Sequence, residues 1–231
     1  MHLVVSAGPF TKWGIDFMTC NPPLSRGHGY IINAVNYFTK WVEAMPTFNN
    51  TGQTAALFFF NHVIAWFGVP KDIVTDHGKH FRNHMMSELT AKLGLSHDNY
   101  IPYYPQSNGQ VEAIKKIIKR MLKRMIGVHK RNWHLILYSA LWAYQTSVRN
   151  ATGFTHFQLV YSLEAILPIQ FEISSLKLAI NLLPNTLEEE ARLLNLIHLD
   201  ETRREAQMAN EAHRIRIKAQ YDKNVISTRK L

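Results

Sequence analysis

The chain has 231 residues, 46% of them hydrophobic, with 26 Lys and Arg against 17 Asp and Glu and a formal charge of +9. That length suits one substantial α/β domain with an appendage, and a basic excess concentrated on one face attracts polyanions. The single cysteine, Cys20, excludes an internal disulfide and a Cys-based zinc site within this chain, and makes a reducing compartment the default. No secretory signal opens the chain. Its most apolar stretch, residues 54–69, is interrupted by Asn61 and His62 and is too short to span a bilayer, so no membrane partner is expected.

In chain order, residues 12–20 (KWGIDFMTC) alternate and are rich in β-formers, which predicts a strand. Residues 21–29 are a turn cluster, and 30–46 hold two β runs with a polar break near Asn36–Lys40, a hairpin. Thr51 and Thr54 open an apolar helix that Gly68 and Pro70 end. A short buried strand is expected at 72–76, a helix at 80–94 stopped by Gly94, and another short strand at 95–101. A loop then leads into a basic helix reaching about Lys130, and 132–148 form a further helix. Three antiparallel strands followed by alternating β and α units predict a mixed sheet covered by helices, in a domain ending near residue 165. Residues 166–185 read as an irregular connector. A long helix of mixed charge follows from Asn185 or Thr186, with Glu189 completing a capping box on Thr186, to about Tyr221. Met208, Ala212, Ile215 and Ala219 form its stripe, expected to pack on the core or a partner.

Three acids stand out by position. Asp16 is central to the first strand, where burial and β-propensity disfavour it. Asp76 ends the strand at 72–76, and Glu112 starts the basic helix, with 35 residues (77–111) between them. Asp72 reads as a solvated strand-start acid. If the short strand lies beside the first, the three carboxylates meet, and their repulsion calls for divalent cations. Hard oxygen ligands suit Mg²⁺ or Mn²⁺, and two such ions act on a phosphodiester. Eight Lys and Arg lie between positions 112 and 131, which fits a helix that holds nucleic acid. Its apolar side is Ile114, Ile117, Ile118, Met121 and Leu122. Trp13, Trp41, Trp66 and Trp142 read as core, the 12 His as scattered, and Ser107 as a loop or cap residue.

The motifs WGIDF, TDHGKHF and IPYYPQSNGQVE, at the D,D-35-E spacing, resemble the catalytic core of retroviral and retrotransposon integrases. The segments YIINAVNYFTKWVEAMP and SALWAYQTSVRNATGFTHFQLVYSLEAILP are similar to gypsy-type LTR retrotransposons of plants. The resemblance implies an RNase H-like fold, a five-stranded mixed sheet flanked by helices with a long C-terminal helical extension. It implies metal-dependent 3′-end processing and strand transfer into target DNA, in the nucleus, by a homo-oligomer. Asp16, Asp76 and Glu112 are then both catalytic and metal-binding. Tyr103, Asn108, Lys115, Lys116, Lys119 and Lys123 are the expected DNA contacts. A nuclease of the same superfold is disfavoured by the 35-residue spacing and the PQSNGQVE loop. The family's flanking zinc domain and C-terminal barrel are expected to be absent from this chain. Where the family has Asn three residues after the Glu, this chain has Lys115; Asn36 replaces a common Asp, and His156 a common Pro. A Lys at 115 competes with metal for the carboxylates, which leaves a DNA-binding remnant as the alternative reading.

Overall fold

The computed structural model describes residues 8–19, 25–76, 78–99, 109–126, 132–163, 165 and 188–228. The chain forms two units, Met1–Gln145 and Thr146–Leu231. In the first, β1 (Lys12–Thr19) lies at the middle of the sheet. β2 (Tyr30–Asn36) pairs antiparallel with β1, and β3 (Val42–Thr47) antiparallel with β2. On the other side β4 (Asp72–Thr75) runs parallel to β1, and β5 (Ser96–Asn99) parallel to β4. The order β3-β2-β1-β4-β5 is the five-stranded mixed sheet of an RNase H-like fold.

Strand alternation divides the core. Met18, Ile31, Val35, Val42, Ala44 and Val74 pack against two helices, α3 (Gly109–Ile126) and α4 (Trp133–Thr146). Trp13, Ile15, Ile32, Ala34 and Ile73 alternate with these and are also buried. On their side Trp13 meets Phe67, with ring centroids 5.1 Å apart, and Phe17 meets Phe81 at 5.5 Å. Phe67 closes a helical segment that starts as α1 (Gly52–Phe58), capped by the Thr51 side chain, and passes through a π-helical Phe59–Ile64. α2 (His84–Leu93) starts later than the sequence suggests because Asn83 caps it, accepting from the Met86 N–H at 3.0 Å. Gly94, in the left-handed region at φ 66°, ends it.

The β2–β3 turn is organised by Asn36. Its Oδ1 accepts from the Phe38 N–H (3.1 Å), the Thr39 N–H (2.9 Å) and the Thr39 hydroxyl (3.0 Å). These are acceptor roles that an Asp would also fill, so the departure at this position preserves the turn. The same holds in the second unit for His156. It is the first residue of α5 (His156–Tyr161), directly after the N-cap Thr155, the position that Pro favours in other helices. Thr155 and Gln158 close a capping box there. α6 (Glu188–Thr228) then buries Leu199, Thr202 and Ala206, and its Arg203 donates to the Leu159 and Val160 carbonyls at 3.0 and 3.4 Å.

Several side chains lie elsewhere than expected. Trp66 is 75% exposed, because half-buried Phe67, four residues after buried Val63, is the side chain that turns toward Trp13. Trp142 is also on the outside: α4 buries Trp133, Leu137, Ala140, Leu141 and Tyr144, which turns Leu135, Tyr138 and Trp142 outward. Ile117 is exposed for the same geometric reason, between Ile114 and Ile118 on α3. The stripe Met208, Ala212, Ile215 and Ala219 is exposed, and the buried stripe of α6 lies earlier, at 199–206. Forty-one helical residues extend about 60 Å. The proposed cap at Thr186 lies outside the described residues.

Candidate active site

The site follows from strand register. Gly14, Asp16 and Met18 point to the face covered by α3 and α4, and Asp16 sits opposite Asn33 of β2. The last parallel pair of β1 and β4 is Ile15 with Thr75. Asp76 is the next residue, directly beyond the end of β4, and its charge lies close enough to Asp16 to act on it. Gly14 lets α3 come close. A Cβ on Gly14 would lie 2.6 Å from Val111 Cγ2 and 2.9 Å from the Tyr37 ring. Val111 is thereby seated on β1, and position 115, one helical turn on, comes over Asp16.

Lys115 uses that position. Its Nζ is in ion-pair contact with Asp16 Oδ2 and lies 3.0 Å from Glu112 Oε1. The Lys115 side chain is 12% exposed, Asp16 7% and Glu112 50%, so a half-open carboxylate and a buried one share one ammonium. Burial pushes the Asp16 carboxyl above its ordinary range; Lys115 pulls it back, and the nearby charge of Asp76 adds to the upward push. Burial of Lys115 acts to lower its pKa, but the Asp16 and Glu112 carboxylates outweigh this and hold the ammonium protonated. Asp76 makes its own contacts: Oδ1 accepts from the Gly78 N–H at 2.9 Å and faces His80 Nε2 at 3.3 Å. His80 is held edge-on by the rings of Phe17 and Phe81.

Three carboxylates are hard oxygen donors of the kind Mg²⁺ takes. As they stand, however, the residues do not fit a metal ion. Among the described residues no group of three His, Cys, Asp or Glu is gathered to hold one. The cation between Asp16 and Glu112 is the Lys115 ammonium. Lys115, expected among the DNA contacts, therefore points inward in this structure. Lys116, Lys119 and Lys123 are exposed along α3, as are Arg120 and Arg124. Tyr103, Asn108, Ser107 and Cys20 lie outside the described residues. Reading the histidines as scattered overlooked His80; the one signal for it was its spacing of four residues from Asp76 in TDHGKHF.

Residues 6–105 match the family model described as integrase core domain. The chain is 31% identical over 154 residues, 66% of its length, to the Pol polyprotein of Radiation murine leukemia virus (strain Kaplan), of which the match covers 26%. The same identity and length are found with the Pol polyprotein of Feline endogenous virus ECE1 and the Gag-Pol polyprotein of Baboon endogenous virus (strain M7), covering 14% and 9% of them. The chain thus spans about a quarter or less of these relatives. Among solved structures, the simian T-cell lymphotropic virus intasome in complex with PP2A regulatory subunit B56 gamma is similar in fold, with a TM-score of 0.62 and 24% identity over 72% of this chain and 59% of that one. No described helix is long and apolar enough to cross a membrane.

Proposed function

We propose that this chain, whose residues 6–105 match the integrase core domain and which resembles retroviral Pol polyproteins, takes part in joining mobile-element DNA to target DNA. The observation that supports the reading is that Asp16 lies on β1, Asp76 follows the end of the neighbouring β4, and Glu112, joined to Asp16 through Lys115, starts a helix lined with exposed cations. The chemistry exchanges one phosphodiester for another. A 3′-hydroxyl attacks a phosphorus atom, a new P–O bond forms, and a different 3′-hydroxyl leaves with a proton. In 3′-end processing, water is the attacking group. The Lys and Arg of α3 hold phosphates and place them beside the carboxylates; such contacts are largely independent of sequence.

Asp16, Asp76 and Glu112 are the catalytic carboxylates, and Mg²⁺ or Mn²⁺ is the cofactor class. Tyr103, Asn108, Lys116, Lys119 and Lys123 contact DNA. The source is a gypsy-type LTR retrotransposon like those of plants; the site of action is the nucleus, and the acting form is a homo-oligomer. One observation favours a second reading, a remnant that binds DNA without chemistry: the inward ion pair of Lys115.

The test is a disintegration assay on a branched DNA substrate with Mn²⁺ or with EDTA, run beside a DNA-binding measurement. The integrase reading expects Mn²⁺-dependent strand joining that Asp76→Asn abolishes while DNA binding persists. Binding without joining under every condition is the outcome of the remnant reading. Folded protein that neither binds nor joins DNA contradicts both.

A further inference from the structure

We propose that Lys115 is a tethered cation occupying the carboxylate site of this chain, and that a divalent ion enters only by displacing it. The inference rests on the reading of Asp16, Asp76 and Glu112 as one metal-binding set, and concerns the regulation of that set. Three observations carry it. Asp16 is buried to 7% side-chain exposure, and a carboxylate so buried needs a counter-charge. The ammonium that supplies it also touches Glu112 at 3.0 Å, so it spans the two acids that come from different elements. Its position is imposed by packing: Val111 is seated against Gly14, and Ile114 and Ile118 are buried on the same helix.

Ammonium and metal exclude one another here. Mg²⁺ gathers carboxylate oxygens at about 2.0–2.1 Å. The Lys115 ammonium contacts the same oxygens, and a second cation among them would meet its repulsion as well as its bulk. The stem of Lys115 is long enough to swing the charge out toward solvent, where Lys116 and Lys119 already lie. The exchange is therefore a change of rotamer and needs no unfolding. A short neutral side chain at position 115 would leave the carboxylates in mutual repulsion and open to a metal.

The experiment measures Mn²⁺ binding from the loss of the free-ion magnetic resonance signal, on wild type, Lys115→Asn and Lys115→Gln, together with thermal unfolding with and without Mn²⁺. Both variants are expected to bind Mn²⁺ at least tenfold more tightly than wild type. They should also unfold at lower temperature without metal and recover most of that loss with it. If a variant fails to fold without metal, Mn²⁺-dependent folding is the supporting result, and failure to fold at saturating Mn²⁺ the contrary one. Equal Mn²⁺ affinity in wild type and variants, abolished in each by Asp76→Asn, overturns the tethered cation and leaves the metal site standing. Folded variants that bind no Mn²⁺ overturn both.

Discussion

Gly14 sets how near α3 can come to the sheet, and a single methyl tests it. In Gly14→Ala the new Cβ meets Val111 and the Tyr37 ring at distances real contacts do not reach. The helix must shift, at a cost of about 1–3 kcal/mol typical of overpacking. Thermal unfolding should show the loss, and adding Val111→Ala should restore part of it; full tolerance of Gly14→Ala would mean that α3 is not seated there. Glu43 makes a second residue-scale prediction. Burial raises its carboxyl pKa, against a hydrogen bond from Trp41 Nε1 at 2.7 Å that lowers it. The folded state then holds a proton that the unfolded state has lost, so stability falls as pH rises from the ordinary Glu value through the raised one. Glu43→Gln keeps the acceptor for Trp41, should raise the melting temperature at neutral pH, and should flatten that decline. An unchanged pH profile would count against the assignment. The positions of Asp16 within β1 and of Asp76 just after β4 were legible, because an acid inside a β run and an acid at a strand end are each locally conspicuous. That Lys115 could reach the carboxylates was legible from its three-residue spacing from Glu112; which of its two rotamers it takes, inward to Asp16 or outward with Lys116 and Lys119, was not, since a long flexible side chain leaves no trace of its rotamer in sequence.

At the scale of elements, periodicity and caps located the strands and most helices to within a few residues. What it missed was which side chain of an apolar helix faces out. Trp66 and Trp142 are apolar residues one position away from the buried face, and hydrophobicity alone cannot separate them from Phe67 and Leu141. α4 couples to the β2–β3 turn through Tyr144, whose hydroxyl donates to the Lys40 carbonyl at 3.0 Å, while Lys40 sits at φ 61°. Tyr144→Phe leaves that buried carbonyl without this donor and should cost about 1–3 kcal/mol in denaturant unfolding; no change would show that the turn holds without it. On α3, Lys119→Ala and Lys123→Ala are each expected to weaken DNA binding uniformly across sequences. Each should reduce the slope of log affinity against log salt by about 1 if the side chain meets a phosphate. A slope that does not move removes that residue from the interface.

For the whole molecule, a charge of +9 explains attraction to a polyanion but not chemistry on it. The proposed chemistry needs acids from positions 16, 76 and 112; the parallel pairing of β4 with β1 and the close seating of α3 bring the elements that carry them together. The alternation of β and α units implied a mixed sheet and left the pairing of β4 with β1 as a condition, which the register meets. The seating was not legible, because it depends on the empty space at Gly14. The most direct test of the carboxylate site is anomalous diffraction at the manganese edge from crystals of Lys115→Asn grown with Mn²⁺. The predicted result is a Mn²⁺ peak shared by the carboxylates of Asp16 and Asp76 or of Asp16 and Glu112. Well-ordered carboxylates with no peak among them, in crystals that bind Mn²⁺ elsewhere, would contradict it.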